Sequence, residues 1–186
     1  MVIDDLGYRR LNVACLYADY KDQNNQTVGN ILGTFLRQLL ATQTLLPAWV
    51  AEELQVIQRA GGKAGLKVNL ALLRKLLQQL EHAFICIDAV DELDSDVRWN
   101  LLKELKELGA KNTRLFLTGR NHIEDEVRKQ FQILQGNKVI ISATRQDIEE
   151  FVSQKINDNR GQNPGAMDDE LAKDIIDIII KKSQGM

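Results

Sequence analysis

The chain has 186 residues, of which 44% are hydrophobic, and its formal net charge is −2. This length suits one domain or a large part of one, and the apolar content is sufficient for a core. There is no basic excess and aromatic residues make up only 5%, which argues against a nucleic-acid partner. No apolar run reaches the roughly 18 residues of a membrane helix. We therefore expect neither nucleic-acid nor membrane binding.

The two cysteines, Cys15 and Cys86, each lie inside an apolar run with strand character. We interpret them as reduced core residues rather than a disulfide or a metal pair, which fits a cytosolic compartment. The two histidines, His82 and His122, are too few and too far apart for a zinc site. Since the N-terminus shows no signal layout, the predicted location is cytoplasmic.

Apolar runs of strand character alternate with segments of helical period along the first half of the chain. Residues 11–17 predict a strand, and Thr27 then caps a helix with one apolar stripe. Pro47 suits the first turn of a second helix over residues 48–59. A third helix is predicted to begin near Asn69 as its cap.

The second half continues the alternation. A strand at residues 84–87 precedes a helix that Asp94 or Ser95 would cap and that ends before Gly109. The remaining predicted elements are a strand at 113–118, a helix at 122–131, a strand at 138–142, a helix from the Thr144 capping box to about 156, and a helix at 168–182. Such alternation predicts an α/β fold, with a parallel sheet covered by helices on both faces.

Residues 157–165 are polar and contain Gly and Pro, so we interpret them as a linker. The predicted organisation is a domain over residues 1–156, followed over residues 157–186 by the linker and a helical extension.

Clustered acidic residues follow the strand at 84–87, led by Asp88, Asp91 and Glu92. In open parallel sheets, ligands bind beyond the carboxyl ends of the strands. One carboxylate there can hold Mg²⁺ through water, and another can orient or deprotonate a water in phosphoryl transfer. The alternative is a solvated acidic approach to a helix N-terminus, which the helix dipole favours.

Thr118 and Arg120 follow the predicted strand that ends in "LFLTGR". If this strand neighbours the one before Asp88, both side chains face the same cleft. A guanidinium offers a planar fork for a terminal phosphate. The alternative is a surface arginine in a turn.

The segment "FICIDAVDEL" at residues 84–93 resembles the extended Walker B motif of the NACHT group of STAND P-loop ATPases, and "LFLTGR" resembles their sensor strand. The segment "VACLYADYKDQNNQTVGNILGTFLRQLL" resembles the strand and helix after the P-loop in fungal NACHT proteins, including those with nephrocystin-type N-terminal NTPase modules. "ISATRQDIEEFVSQKI" and "IIDIIIKKSQGM" are similar to later segments of that family, so the likeness covers nearly the whole chain.

The resemblance implies a three-layer P-loop NTPase-like fold and a signalling switch that acts in signal transduction or in incompatibility-like and immunity-like responses. It implies Mg²⁺ and ATP or GTP as ligands of the parent protein, and protein partners or self-association through the module. By the same resemblance Asp88 lies near the metal, Asp91 and Glu92 are catalytic around the hydrolytic water, and Thr118 and Arg120 contact the nucleotide.

The Walker A pattern of that family, G-x-x-x-x-G-K-[ST], does not occur in this sequence. The nearest match, "AGGKAGL", has Ala64 in place of Ser or Thr and no preceding strand, so we interpret it as a turn between helices. "MVIDDLGYRR" resembles the tail of the helix after the P-loop. We therefore expect a fragment that lacks the first strand, stops before a winged-helix region, and binds no nucleotide tightly.

A missing strand would leave buried backbone groups unpaired, at a cost of about 1–3 kcal/mol each. We therefore expect the sheet to close up, the strand at 138–142 to detach, or a partner to fill the gap. Two other functions remain open. One is a non-catalytic interaction or scaffold module. The other is a receiver domain with Asp88 as phospho-acceptor, although the last predicted strand lacks the terminal lysine of that fold.

Overall fold

The computed structural model describes residues 11–59, 61–62, 65–109, 112–131, 137–163, 165 and 167–183. They fall into two compact units, Met1–Ile133 and Leu134–Met186. The strands are β1 Asn12–Tyr17, β2 Ala83–Asp88 and β3 Thr113–Leu117. The α-helices are α1 Val28–Ala41, α2 Ala48–Arg59, α3 Leu66–Gln79, α4 Ser95–Leu108, α5 Glu124–Gln130, α6 Arg145–Gln162 and α7 Asp169–Ser183.

The three strands form a parallel sheet in the order β1-β2-β3. In this register Ala14 pairs with Ile85, and Ile85 pairs with Leu115. The predicted α/β class and the parallel strands are thereby confirmed. Because the strands are parallel, their carboxyl ends meet at one edge of the sheet, which we name the carboxyl edge.

The core of the first unit lies against one face of this sheet. Alternate residues of a strand point to the same face, and Ala14, Ile85 and Ile87 are buried there. The helices contribute the apolar stripes that the sequence predicted: Ile31, Leu32, Phe35 and Leu39 from α1, Leu73, Leu76 and Leu77 from α3, and Leu101, Leu102 and Leu105 from α4. Helical cover of the opposite face stays a prediction.

The edge strand β1 has its backbone partly satisfied by a side chain. Gln38 of α1 accepts a hydrogen bond from the Cys15 N–H at 2.6 Å and donates one to the Cys15 carbonyl at 2.9 Å. The glutamine amide therefore occupies the donor and the acceptor that a further strand would use at this position.

The prediction that α3 begins near Asn69 is wrong, because the helix begins at Leu66 with Gly65 as its N-cap. Asn69 lies inside the helix with only 9% of its surface exposed. Its side-chain amide donates to the Gly29 carbonyl of α1 at 2.9 Å instead of capping its own helix. The asparagine is therefore a contact between two helices.

The prediction of a fourth strand at residues 138–142 is also wrong. The segment has no regular secondary structure, and Val139, Ile140 and Ile141 are 81%, 69% and 90% exposed. These residues have strand propensity, but no described strand lies beside them to satisfy their backbone groups. The three outcomes expected for a missing strand stay predictions.

The second unit contains α6 and α7. Thr144 and Asp147 form the predicted capping box at the start of α6, and hydrogen bonds from the Thr144 side chain and backbone lower the pKa of Asp147. The helix runs to Gln162 rather than to about 156, so most of the predicted linker is helical. The core cluster of this second unit is small and consists of Val152, Ile156 and Ala172.

Predictions on "MVIDDLGYRR" lie outside the described residues, as do those on Lys63 and Ala64 of "AGGKAGL". Gly61 and Gly62 lie between α2 and α3, where a turn is predicted, and both have positive φ. None of the described helices is long and apolar enough to cross a membrane.

Candidate functional site

Three loops meet at the carboxyl edge, one after each strand. Backbone hydrogen bonds join them: the Ala18 N–H donates to the Asp88 carbonyl at 3.0 Å, and the Thr118 N–H donates to the Ile87 carbonyl at 2.9 Å. Each loop continues into a short 3₁₀ turn, namely Tyr20–Asp22, Val90–Glu92 and Asn121–Ile123. The five predicted site residues lie in the second and third of these loops or directly before them.

The strands before Asp88 and Thr118 are neighbours in the sheet, and the two side chains are in direct contact at this edge. The Thr118 hydroxyl donates to Oδ1 of Asp88. Asp88 is an exposed residue, so its carboxylate is oriented by the threonine while remaining open to solvent. No shared site of three or more His, Cys, Asp or Glu side chains able to hold a metal ion is found among the described residues.

Thr118 also supports the turn that follows β2. Ala89 adopts the left-handed conformation with φ 53°, which is unfavourable for a residue other than glycine. The Thr118 Oγ1 accepts from the Ala89 N–H at 2.9 Å, and the Thr118 carbonyl accepts from the Val90 N–H at 2.9 Å. These bonds hold the turn in the conformation that presents Asp88.

Asp91 does not point into solvent, because only 4% of its side chain is exposed. Its Oδ1 accepts from the backbone N–H of Arg120 at 3.2 Å, and its Oδ2 lies 3.5 Å from the Arg120 Nε. The Arg120 side chain itself is 76% exposed. Asp91 thus links the loop after β2 to the loop after β3 and leaves the guanidinium accessible.

Glu92 connects to the remaining loop. Its Oε2 accepts from the Tyr20 N–H at 3.4 Å, a long and therefore weak hydrogen bond. The two adjacent acidic residues therefore differ in exposure and in bonding. The Asp91 side chain is nearly enclosed, whereas Glu92 is half-buried and has a weaker hydrogen-bond partner.

Arg98 is a site-supporting residue that the sequence reasoning missed. Its Nη1 donates to the Leu93 carbonyl at 3.0 Å and to the Asp91 carbonyl at 3.4 Å, and its Nε lies 2.9 Å from Glu126 Oε2. The signal for it was a basic residue in the first turn of a helix, where the dipole favours acidic residues. Its attraction to the acidic partner Glu126 and to two carbonyls offsets that unfavourable position.

Gly119 lies between Thr118 and Arg120 in the loop after β3. A Cβ at this position would lie 2.7 Å from Ile123 Cδ1, 3.2 Å from Val90 Cγ1 and 3.3 Å from Asp91 Oδ1. The glycine therefore permits the close approach of the Asp91 carboxylate to the loop that carries Arg120.

The two cysteines lie side by side on β1 and β2 as register partners, and both are free thiols. Burial raises the pKa of Cys15, and burial together with the neighbouring Cys15 raises the pKa of Cys86. A raised pKa keeps both thiols protonated at neutral pH, which disfavours nucleophilic or metal-binding roles. Cys86 is buried, as the interpretation as a core residue expects, whereas Cys15 is half-buried.

The structure thus defines a parallel α/β protein with carboxylate, hydroxyl and guanidinium groups gathered at the carboxyl ends of its strands. The family model of the nephrocystin 3 N-terminal domain matches residues 1–120. The chain belongs to the nephrocystin 3 N-terminal family, and the nephrocystin-type part of the resemblance is confirmed. The matched range contains all five predicted site residues. No match was found among curated proteins or among solved structures.

Proposed function

We propose that the carboxyl edge is the metal-binding and phosphate-sensing side of a NACHT-type nucleotide switch. This proposal rests on the position of Asp88, Thr118 and Arg120 at the same edge of the sheet. The Asp88 carboxylate and the Arg120 guanidinium are both exposed to solvent. In open α/β sheets this edge is where ligands bind. The phosphate-binding loop that would complete the site is not among these 186 residues.

The residues fit a magnesium nucleotide. Mg²⁺ retains several waters and takes one or two carboxylates together with substrate phosphates, so a single exposed carboxylate such as Asp88 is a suitable protein contribution. The ion would neutralise charge on the terminal phosphates. Arg120 would bind a phosphate through its planar donor fork, and Glu92 would orient the hydrolytic water.

We propose that nucleotide state biases a domain rearrangement in a cytoplasmic signalling protein, rather than driving metabolic turnover. A ligand shifts a conformational equilibrium only by its differential affinity for the two states. Binding of ATP or GTP would therefore control contacts with protein partners or with a second copy.

Calorimetry of the 186-residue chain with Mg²⁺-ATP and Mg²⁺-GTP tests this function. We expect dissociation constants on the order of millimolar, because carboxylates without a phosphate cradle provide little affinity. Asp88→Asn and Arg120→Gln should each weaken the binding further. Arg128→Gln is the matched control, since Arg128 is an exposed arginine of the same unit that pairs with Glu124.

Micromolar binding to the unaltered chain would contradict the argument from the missing cradle, and equal binding by Arg120→Gln and Arg128→Gln would remove Arg120 from the site. Translation of the genomic sequence upstream of Met1 is a further check. An in-frame G-x-x-x-x-G-K-[ST] supports the switch.

A second candidate function is a non-catalytic interaction module, which the exposed Val139, Ile140 and Ile141 favour. Exposed contiguous apolar residues mark interaction surfaces. Sedimentation velocity of the chain and of Ile140→Glu tests it: association that the substitution abolishes supports the module, and a monomer at all concentrations opposes self-association.

A further inference from the structure

Asp91 and Glu92, the acidic pair after β2, have different surroundings. Both oxygens of Asp91 face Arg120, one at 3.2 Å from its backbone nitrogen and the other at 3.5 Å from its Nε. The Asp91 side chain is 4% exposed. A carboxylate enclosed in this way has no oxygen directed to a solvent molecule.

The surroundings of Asp91 maintain this orientation. Gly119 lacks the Cβ that would come within 3.3 Å of Oδ1, and Arg98 donates to the backbone carbonyl of Asp91. The side chain of this residue thus has room beside Gly119, and its backbone carbonyl accepts a hydrogen bond from Arg98. Within the described residues, in contrast, the Glu92 side chain has one hydrogen bond, the weak one from the Tyr20 N–H.

We propose that Asp91 is a positioning residue for Arg120 and does not contact the hydrolytic water, which leaves Glu92 as the acidic residue available for that role. The inference rests on the proposed function, because Arg120 is the group that would meet the phosphates. Asp91 holds the Nε side of the guanidinium, and the side chain remains 76% exposed to a ligand.

Positioning of this kind raises affinity for a phosphate by reducing the freedom that the arginine loses on binding. A long flexible side chain loses rotamer entropy when a ligand immobilises it, and a preorganised one loses less. The effect of Asp91 on nucleotide binding must then pass through Arg120. If Glu92 affects nucleotide binding, that effect should be independent of Arg120.

The first experiment uses the ligand-free chain. Nitrogen-15 NMR follows the Nε–H signal of Arg120 in the unaltered protein and in Asp91→Asn, which keeps an oxygen for the Arg120 backbone N–H but loses the charge. We expect the Nε–H signal to shift and its exchange with water to accelerate. The matched control is Asp96→Asn, an exposed acidic residue of α4 for which the described part of the chain shows no hydrogen bond or ion pair with Arg120.

An Arg120 Nε–H signal that is the same in Asp91→Asn and in the unaltered protein would overturn the proposal. If Asp91→Asn does not fold, Arg120→Gln replaces it, since Arg120 is mostly exposed. In that variant the carboxyl carbon signal of Asp91 should move, and an unmoved signal would overturn the proposal equally.

The second experiment titrates Mg²⁺-ATP into the same proteins by NMR, which detects millimolar binding. Asp91→Asn and Arg120→Gln should each weaken binding by roughly fivefold to tenfold, and the double variant should be no weaker than Arg120→Gln. Glu92→Gln should leave the Arg120 signal unchanged, and any loss of affinity that it causes should multiply with that of Arg120→Gln. Multiplying losses for Asp91 and Arg120 would overturn the positioning role.

These two experiments separate the two proposals. An unaltered protein that does not respond to Mg²⁺-ATP or Mg²⁺-GTP at any concentration counts against the nucleotide switch. The Arg120 signal in Asp91→Asn still decides whether Asp91 positions the arginine.

Discussion

Thr118 is the residue on which the geometry of the carboxyl edge depends most. Its hydroxyl and backbone groups form hydrogen bonds with four consecutive residues, from Ile87 to Val90. The family resemblance implied a nucleotide contact for this residue; in the structure its hydroxyl donates to Asp88 and accepts from the Ala89 N–H. The hydroxyl of Thr118 therefore orients the Asp88 carboxylate.

Replacement of Thr118 by Val keeps the side-chain shape but removes the hydroxyl. The Ala89 N–H then loses its partner in a turn that is already strained, so we expect the free energy of unfolding to fall by about 1–3 kcal/mol. Urea unfolding measures this change. Thr118→Ser is the matched control and should remain within about 1 kcal/mol of the unaltered protein, and equal losses for Ser and Val would contradict the role of the hydroxyl.

Among the elements, the crossing of α1 and α3 shows how two small features of the sequence fit together. A Cβ added to Gly33 would lie 2.9 Å from the Asn69 Nδ2, and this amide donates to the Gly29 carbonyl. The glycine provides the space for the buried asparagine. Neither residue shows this relation in the sequence, because they are 36 positions apart.

Gly33→Ala should therefore destabilise the protein, although alanine favours a helix over glycine by about 1 kcal/mol. The added methyl group displaces the Asn69 amide from its carbonyl partner. In an Asn69→Ala background the same substitution should become neutral or stabilising, because the clash is gone. Thermal unfolding of the single and double variants measures the coupling, and a stabilising Gly33→Ala in the unaltered background would refute the clash.

The segment at residues 138–142 is the element where local propensity and structure disagree. Its β-branched residues predict a strand, but a strand requires a neighbour to satisfy its backbone groups. The described sheet consists of β1, β2 and β3 and does not include this segment. The sequence pattern identifies a segment that could form a strand. Whether a neighbouring strand is present to pair with it depends on the whole fold.

Ile140→Glu tests the exposure of this segment. Since the side chain is 69% exposed, we expect a change within about 0.5 kcal/mol in the free energy of unfolding. Ile85→Glu is the contrasting control, because Ile85 is buried in β2 and an unpaired charge there should prevent folding. A loss of several kcal/mol for Ile140→Glu would show that the segment is packed as a strand.

The sequence predicts more of the fold than of the site. Strand and helix positions follow from apolar periodicity and from local caps, such as Thr27 with the Asn30 N–H and Asp94 with the Asp96 N–H. From the sequence, Asp88 and Thr118 share a cleft if their strands are neighbours, and the structure pairs these strands. The sequence could not show that Asp91 faces Arg120 while Glu92 turns toward Tyr20, because adjacent residues in a 3₁₀ turn diverge according to loop packing.

At the scale of the whole molecule, the two units differ in the size of their cores. The first unit packs three helices against a sheet face, whereas the core cluster described for the second consists of Val152, Ile156 and Ala172, with Ile180 buried as well. Stability rises with the apolar area removed from water. The backbone hydrogen bonds of the second unit should therefore open more readily.

Hydrogen exchange measured by mass spectrometry tests this ranking. We expect amides in α6 and α7 to exchange faster than those in β2 and α1, by at least about tenfold after correction for intrinsic rates. The comparison is internal to one sample, so no variant is needed. Equal or greater protection in α6 and α7 would contradict the ranking by core size.

The Gln38 amide that covers Cys15 has a consequence for polymerisation. With the middle of β1 already occupied, intermolecular strand pairing is hindered on that side of the sheet, and β3 is the sheet's other edge. A second molecule that pairs through its own β3 would form a dimer, and such a dimer would expose only the two β1 edges for further pairing. Fibril growth by stacking sheets edge to edge is thereby disfavoured, while a closed pair remains accessible.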